Sequence, residues 1–253
     1  MSMACVCRWC RLRDSPFSLV ARDLTTGYRR VRSQTVVTRA SFQVDAGTVV
    51  ALVGPNGSGK STLLHTVMGL IPTLSGTVSI GGLAPGDYRL RHGIGYLAEG
   101  MTLPDAWTPR GMIALTALST GRGAETAIPA ALEAGGIDFD LTRPIRELSR
   151  GMRQRLLLAL TLIPLPRLLL LDEPEAGLDP AQRIVLRDRL RRFARDQRIV
   201  IAASHDVSGL SAIADQTYFM SRASMQLIEP SDLSSPERLV ELFGAKNQST
   251  GVH

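Results

Sequence analysis

The chain has 253 residues, 44% of them hydrophobic and 21% charged, a balance that fits a globular fold with a full core and excludes a disordered or fibrous chain. Its formal charge of +6 is carried almost wholly by arginine, because Lys60 and Lys246 are the only lysines. No apolar run reaches the roughly 18 residues of a membrane span, and the best candidate, Leu156 to Leu171, is broken by Pro164, Pro166 and Arg167.

Residues 1–17 read as a disordered tail. Cys5, Cys7 and Cys10 fall in one short stretch with no histidine before His65, which is too few ligands for a structural zinc site. They are also too clustered for a disulfide framework, and Arg8, Arg11 and Arg13 interrupt any signal-peptide core. A cytoplasmic location follows, and the role of the three cysteines stays open. Ser18 to Leu24 is a first strand, and Val36 to Val44 is a second, closed by Asp45-Ala46-Gly47. Thr48 to Val53 is continuously apolar, the signature of a strand buried on both faces. Gly54 to Gly59 is a loop, and a helix runs from Lys60 to Leu70. Gly76 to Ile80 and Ile94 to Leu97 are short strands. Residues 100–158 are mostly helical, punctuated by Pro104, Pro109 and Gly121.

Leu168 to Leu171 and Ile199 to Ala203 are further apolar strands, separated by an arginine-rich helix from Pro180 to Arg195. Ile184, Val185, Leu190 and Phe193 are its expected buried side. Gln216 to Ile228 reads as a terminal hairpin, and 230–253 as a helical extension and tail. Strands alternating with helices make the class α/β, with a mainly parallel sheet. Residues 183–198 hold seven arginines against Asp188 and Asp196, and residues 1–32 have the same excess. Aromatics make up only 5% of the chain, and Phe193 alone interleaves with the helical run, so a solvated face is expected and nucleic acid is not.

The loop carries chemistry. Gly54-Pro55-Asn56-Gly57-Ser58-Gly59-Lys60-Ser61-Thr62 fits G-x-x-x-x-G-K-[ST] in full. Its glycines let successive backbone N–H groups turn inward on phosphate oxygens, and the following helix adds its positive end. Lys60 reaches the β- and γ-phosphates, and the Ser61 hydroxyl can ligate Mg²⁺. Such a match arises by chance in about one chain of this length in a hundred. Here it also lies between a buried strand and a helix, the context the motif requires.

A second element answers it. Leu168-Leu169-Leu170-Leu171-Asp172-Glu173-Pro174 sets two carboxylates at the C-terminal end of an apolar strand, the edge where ligands bind in open α/β sheets. Asp172 is placed to hold Mg²⁺, and Glu173 to polarise an attacking water. Adjacent carboxylates repel, and a cation between them and the phosphates relieves that repulsion.

With these two elements in place, residues 18–229 resemble the ATP-binding subunit of an ABC transporter. Leu148-Ser149-Arg150-Gly151-Met152-Arg153-Gln154-Arg155 is similar to the family signature, and Gly177-Leu178-Asp179 to its D-loop. His205 matches the switch histidine, and Tyr28 the aromatic that stacks on adenine. Arg150 and Met152 depart from the commonest signature, and Glu99 stands where a glutamine is usual. Both variants are similar to those of exporter-type cassettes, and Glu99 can bind Mg²⁺ but cannot donate as an amide does.

The resemblance implies a P-loop NTPase core of the RecA-like kind, with a mainly parallel sheet, an antiparallel β subdomain and an inserted helical subdomain at about 100–158. It implies ATP and Mg²⁺ as ligands. It also implies a head-to-tail dimer, homo- or heteromeric, in which Ser149, Gly151 and Asp179 of one copy close over Lys60 of the other. Glu173 and His205 would be catalytic, and Ser61, Glu99 and Asp172 would be metal-side groups. The partner would be a separate membrane permease, with the chain peripheral on the inner face of the membrane. A soluble ABC ATPase of translation or DNA repair is the alternative. A P-loop GTPase would need an N-K-x-D motif that neither lysine supplies.

Overall fold

A computed structural model of the chain describes residues 17–28, 34–121, 123–229 and 232. The expected tail up to residue 16, with its three cysteines, lies outside them. So does the extension over 230–253, apart from Asp232. Phe17, assigned to the tail from sequence, is buried instead. Its ring stacks on Tyr88, with the Arg167 guanidinium 4.3 Å over its centre.

Two sheets organise the molecule. Strands β1 (Ser18–Tyr28), β2 (Gln34–Asp45) and β4 (Thr73–Ile80) form an antiparallel sheet in the order β2-β1-β4. The larger sheet runs β5-β6-β7-β3-β8-β9 and uses β3 (Val49–Val53), β5 (Gly95–Leu97), β6 (Leu168–Asp172), β7 (Ile199–Ser204), β8 (Gln216–Ser221) and β9 (Ser224–Ile228). All but β9 are parallel. Every residue of β3, β6 and β7 is buried, as unbroken apolar runs in a sheet covered on both faces require. The β8–β9 turn places Arg222 and Ala223 both at positive φ, the geometry of a twist-matched two-residue hairpin.

Three cores hold these layers. Helix α1 (Lys60–Val67) sends Leu63, Leu64 and Val67 between the two sheets, against Leu24, Leu52 and Ile201. On the other face, α6 (Pro180–Arg195) and part of α5 (Arg150–Leu162) cover Val53, Leu171 and Ala202. A separate cluster joins α3 (Pro109–Ser119), α4 (Ala124–Gly135) and α5 through Ile113, Ala131 and Leu156. Helix α5 serves both clusters, with Leu156 facing one and Leu157 the other. It therefore links the helical layer rigidly to the sheet.

Three elements differ from the sequence reading. Helix α2 (Pro85–His92) was not expected, since no element was assigned between Ile80 and Ile94; Pro85 occupies its first turn, where its missing N–H costs nothing. Helix α1 stops at Val67 because Gly69, at φ 70°, turns the chain out. On α6 Leu190 is buried and Phe193 packs partly against the core as expected, but Leu186 and Ala194 complete that side, whereas Ile184 and Val185 are 64% and 44% exposed. The 3.6 period groups Leu186, Leu190 and Ala194 with Phe193 on one face and turns Ile184 and Val185 away from it. A short helix α7 (Val207–Ser211) follows β7.

Candidate functional site

Strand β3 ends at Val53, and Gly54 begins the turn into α1. A Cβ on Gly54 would overlap the carbonyl oxygen of Met220 on β8, at a φ of 155° that side chains rarely adopt. Gly59 closes the turn at φ 103°, and a Cβ there would sit 2.7 Å from Val36 Cγ1. The loop is thus wedged between β2 and β8, and only glycine fits at either end. Gly54→Ala is expected to abolish nucleotide binding and lower Tm, because a backbone carbonyl, unlike a side chain, cannot step aside. A nucleotide titration and a thermal melt check both.

Lys60 is 6% exposed, and its Nζ donates to the carbonyls of Gly54 (2.8 Å) and Pro55 (3.2 Å). The ammonium is drawn across the mouth of the loop and held there. Ser58 Oγ is buried and, among the described residues, has no hydrogen-bond partner, an arrangement that a phosphate oxygen would satisfy. A cavity of 300 Å³ opens over this loop and is lined by Asn56 to Thr62, Val36, Glu99, Asp172 and Glu173. Residues from four separate stretches therefore converge on one space. Larger clefts of 460 and 590 Å³ lie beside α5 and lack the glycine loop, so they present no cradle for phosphate.

Asp172 is buried at the end of β6, and burial pushes its carboxyl above the usual range, with repulsion from Glu173 adding to the effect. A hydrogen bond with Ser61 and the positive charge of Lys60 oppose the shift. The two side chains that would share Mg²⁺ are thus already in contact. No group of three His, Cys, Asp or Glu among the described residues could hold a metal unaided. A cation here needs phosphate oxygens to complete its shell, which fits Mg²⁺ delivered with a nucleotide.

Glu173 follows at φ 50°, a strained backbone position for a non-glycine residue. Its Oε1 accepts from the backbone N–H of His205 at 2.8 Å and lies 2.9 Å from His205 Nδ1, while Ser204 Oγ donates to Oε2 at 3.3 Å. The ends of β6 and β7 are joined through this carboxylate. His205 itself is exposed to solvent on its outer side.

The remaining candidates lie outside the cavity. Tyr28, 42% exposed, sits at the end of β1 with its hydroxyl 3.4 Å from Thr62 Oγ1. Ser149 caps α5 by accepting from the N–H of Met152, and Asp179 caps α6 by accepting from that of Gln182. Gly151 faces the Gly177 carbonyl, its Cβ position 3.2 Å away. Signature and D-loop residues therefore adjoin each other and stand apart from the same chain's Lys60.

Sequence reasoning missed two groups. His65 Nε2 and the Tyr96 hydroxyl are 2.9 Å apart below Asp172, and burial raises the Tyr96 phenol to about 12, with Asp172 adding to the shift. Only their folded juxtaposition marks them, though His65 does lie on the helix that Lys60 begins. The second group is the buried Glu175 and its half-buried partner Arg187, which nothing in the motif requires.

Comparison with known proteins agrees with this arrangement. The family model described as ABC transporter matches residues 37–176. A Nod factor export ATP-binding protein I of Sinorhizobium fredii is 35% identical over 202 residues, 78% of this chain and 59% of that one. A Rhizobium meliloti protein of the same name is 33% identical over 63% of its length, so the chain spans less than two thirds of these relatives. A lantibiotic transport ATP-binding protein of Streptococcus pyogenes is 32% identical over 83% of this chain and 90% of that one. Among solved structures, the ATP-binding subunit of an ABC transporter superposes with a TM-score of 0.76 at 26% identity, covering 88% of this chain and 98% of that one. The phosphate loop, the paired carboxylates and these matches together place the chain in the ABC transporter family, as one of its ATP-binding cassettes.

Proposed function

We propose that the chain binds ATP with Mg²⁺ and hydrolyses it, and that hydrolysis powers export through a separate membrane permease. The convergence of Lys60, Ser61, Glu99, Asp172 and Glu173 on one 300 Å³ cavity carries this reading. The relatives named for Nod factor export and lantibiotic transport favour transport over a role in translation or DNA repair. No helix among the described residues is long and apolar enough to cross a membrane, which fits division of labour with a permease.

The residues divide the work. The loop amides and Lys60 hold the phosphates, and Tyr28 flanks the adenine. Ser61 and Asp172 would hold the metal, with Glu99 lining the same cavity as a further oxygen donor. Mg²⁺, when bound, neutralises charge that develops on the β- and γ-phosphate oxygens. Glu173 accepts the proton of an attacking water through a lone pair left free by its contacts to Ser204 and His205. His205 fixes that carboxylate and faces outward, toward a second copy. Ser149, Gly151 and Asp179, remote from their own cavity, close a partner's nucleotide in a head-to-tail dimer.

Purification of the tagged chain from its native membrane tests the reading. An integral membrane protein should co-purify, and the complex should hydrolyse ATP. Recovery with ribosomes or DNA and no membrane protein would overturn the transport assignment.

A further inference from the structure

Helix α6 carries Arg183 and Arg187 one turn apart, both directed at the segment that leaves Glu173. Arg187 Nε donates to Glu175 Oε1 at 2.6 Å and its Nη2 to Oε2 at 2.9 Å, a two-pronged pairing in which the Glu175 side chain is only 7% exposed. Arg183 Nε donates to the Leu178 carbonyl at 3.1 Å, and its Nη1 lies 3.9 Å from Asp206. Asp206 also adds to the field that raises the Arg187 guanidinium, behind the larger effect of the Glu175 hydrogen bond.

The pair has a third neighbour. Gly209 of α7 packs against both members: a Cβ there would overlap the Arg187 guanidinium and lie 2.9 Å from Glu175 Oε2. Helix α7 begins two residues after His205. Glu175 stands two residues after Glu173, in consecutive tight turns closed by Ala176 N–H to the Glu173 carbonyl and by Leu178 N–H to the Glu175 carbonyl. The ion pair therefore touches the loop after β6 and the helix after β7 at once, outside the lining of the cavity over the glycine loop.

We propose that Glu175 and Arg187 are positioning residues that lock the Glu173 loop to the His205 loop, so that carboxylate and histidine keep one mutual geometry through the hydrolytic cycle. This rests on the ATPase reading above. Three observations demand such a lock. Glu173 and His205 follow different strands, and the Glu173 carboxylate joins the two residues, with one backbone link beside it from the Glu173 N–H to the Ala203 carbonyl. Glu173 holds a strained φ that a loose loop would relax. A buried carboxylate without its guanidinium would be costly, so the loop cannot swing away from α6 and leave it behind. Arginine is required rather than lysine, since only the planar fork meets both oxygens while Gly209 presses on its face.

The test uses the full chain and two variants that enter the pair from opposite sides, Arg187→Lys and Gly209→Ala. In each, kcat for ATP should fall about 10- to 100-fold, the scale of a small misplacement at a reacting centre, with KM changed by no more than about twofold. Amide hydrogen exchange without nucleotide should quicken in 173–179 and 205–211 together, and stay unchanged in 54–67. Faster exchange in only one of those loops, or an unchanged kcat, would overturn the lock. Should one variant fail to fold by circular dichroism, the other decides. A wild-type chain that hydrolyses no ATP would refute the ATPase reading instead, and the exchange pattern would still decide whether the two loops are coupled.

Discussion

Glu173→Gln should leave ATP bound and bring its hydrolysis nearly to a halt. Glutamine keeps the shape of the side chain: its oxygen can accept from the His205 N–H and its amide can donate to Ser204 Oγ, so the ends of β6 and β7 stay joined. What it loses is the capacity to take a proton from water. Removal of a positioned base costs about 10²- to 10⁴-fold in rate. The substitution also removes one of the two adjacent carboxylates, and with it the repulsion that helps to raise Asp172, so Tm should not fall. With turnover blocked, a nucleotide-dependent dimer should accumulate and elute early in size-exclusion chromatography with ATP and Mg²⁺. Hydrolysis at the native rate would remove Glu173 from its role.

Lys60→Ala should act one step earlier, on binding. The ammonium is buried, pre-aimed by the Gly54 and Pro55 carbonyls, and lies in the same wall as the unpartnered Ser58 hydroxyl. Charge-assisted bonds from such a group to phosphate are the strong ones, and their loss should raise the Kd for ATP about 100-fold, or about 3 kcal/mol. The two carbonyls lose their donor as well, so the loop loosens even without nucleotide. Isothermal titration separates the two variants: Kd unchanged in Glu173→Gln, and greatly raised in Lys60→Ala. An unchanged Kd in the latter would take the lysine out of the site.

Much of this was legible before any coordinates. The unbroken apolar runs of β3, β6 and β7 identify buried parallel strands because their faces are both covered, and the glycine loop is read from spacing alone. Helix α2 was not legible, and of the buried face of α6 only Leu190 and the half-buried Phe193 were. In α2 the glycines and proline of Gly81-Gly82-Leu83-Ala84-Pro85-Gly86 carry no helical signal, and the packing of Tyr88 against Phe17 decides for a helix. In α6 the apolar residues lie on more than one side, and the sheet chooses among them. Arg183, Arg187 and Arg191 read as a solvated face, yet they answer Leu178, Glu175 and Asp215. Those partners come from other parts of the fold, and no local pattern announces them.

The seat of Gly54 against Met220 also bears on how the molecule is made. Strand β3 is synthesised before both strands that flank it, β7 and β8, which are encoded some 150 residues later. Val49 is likewise tied at both its N–H and its carbonyl to Asp215. Such distant pairings close last, because the intervening chain must first give up its freedom. A nascent chain that has not yet reached β8 thus carries the whole glycine motif but lacks the Met220 wall that shapes it, so the capacity to consume fuel waits on a strand made long after the motif.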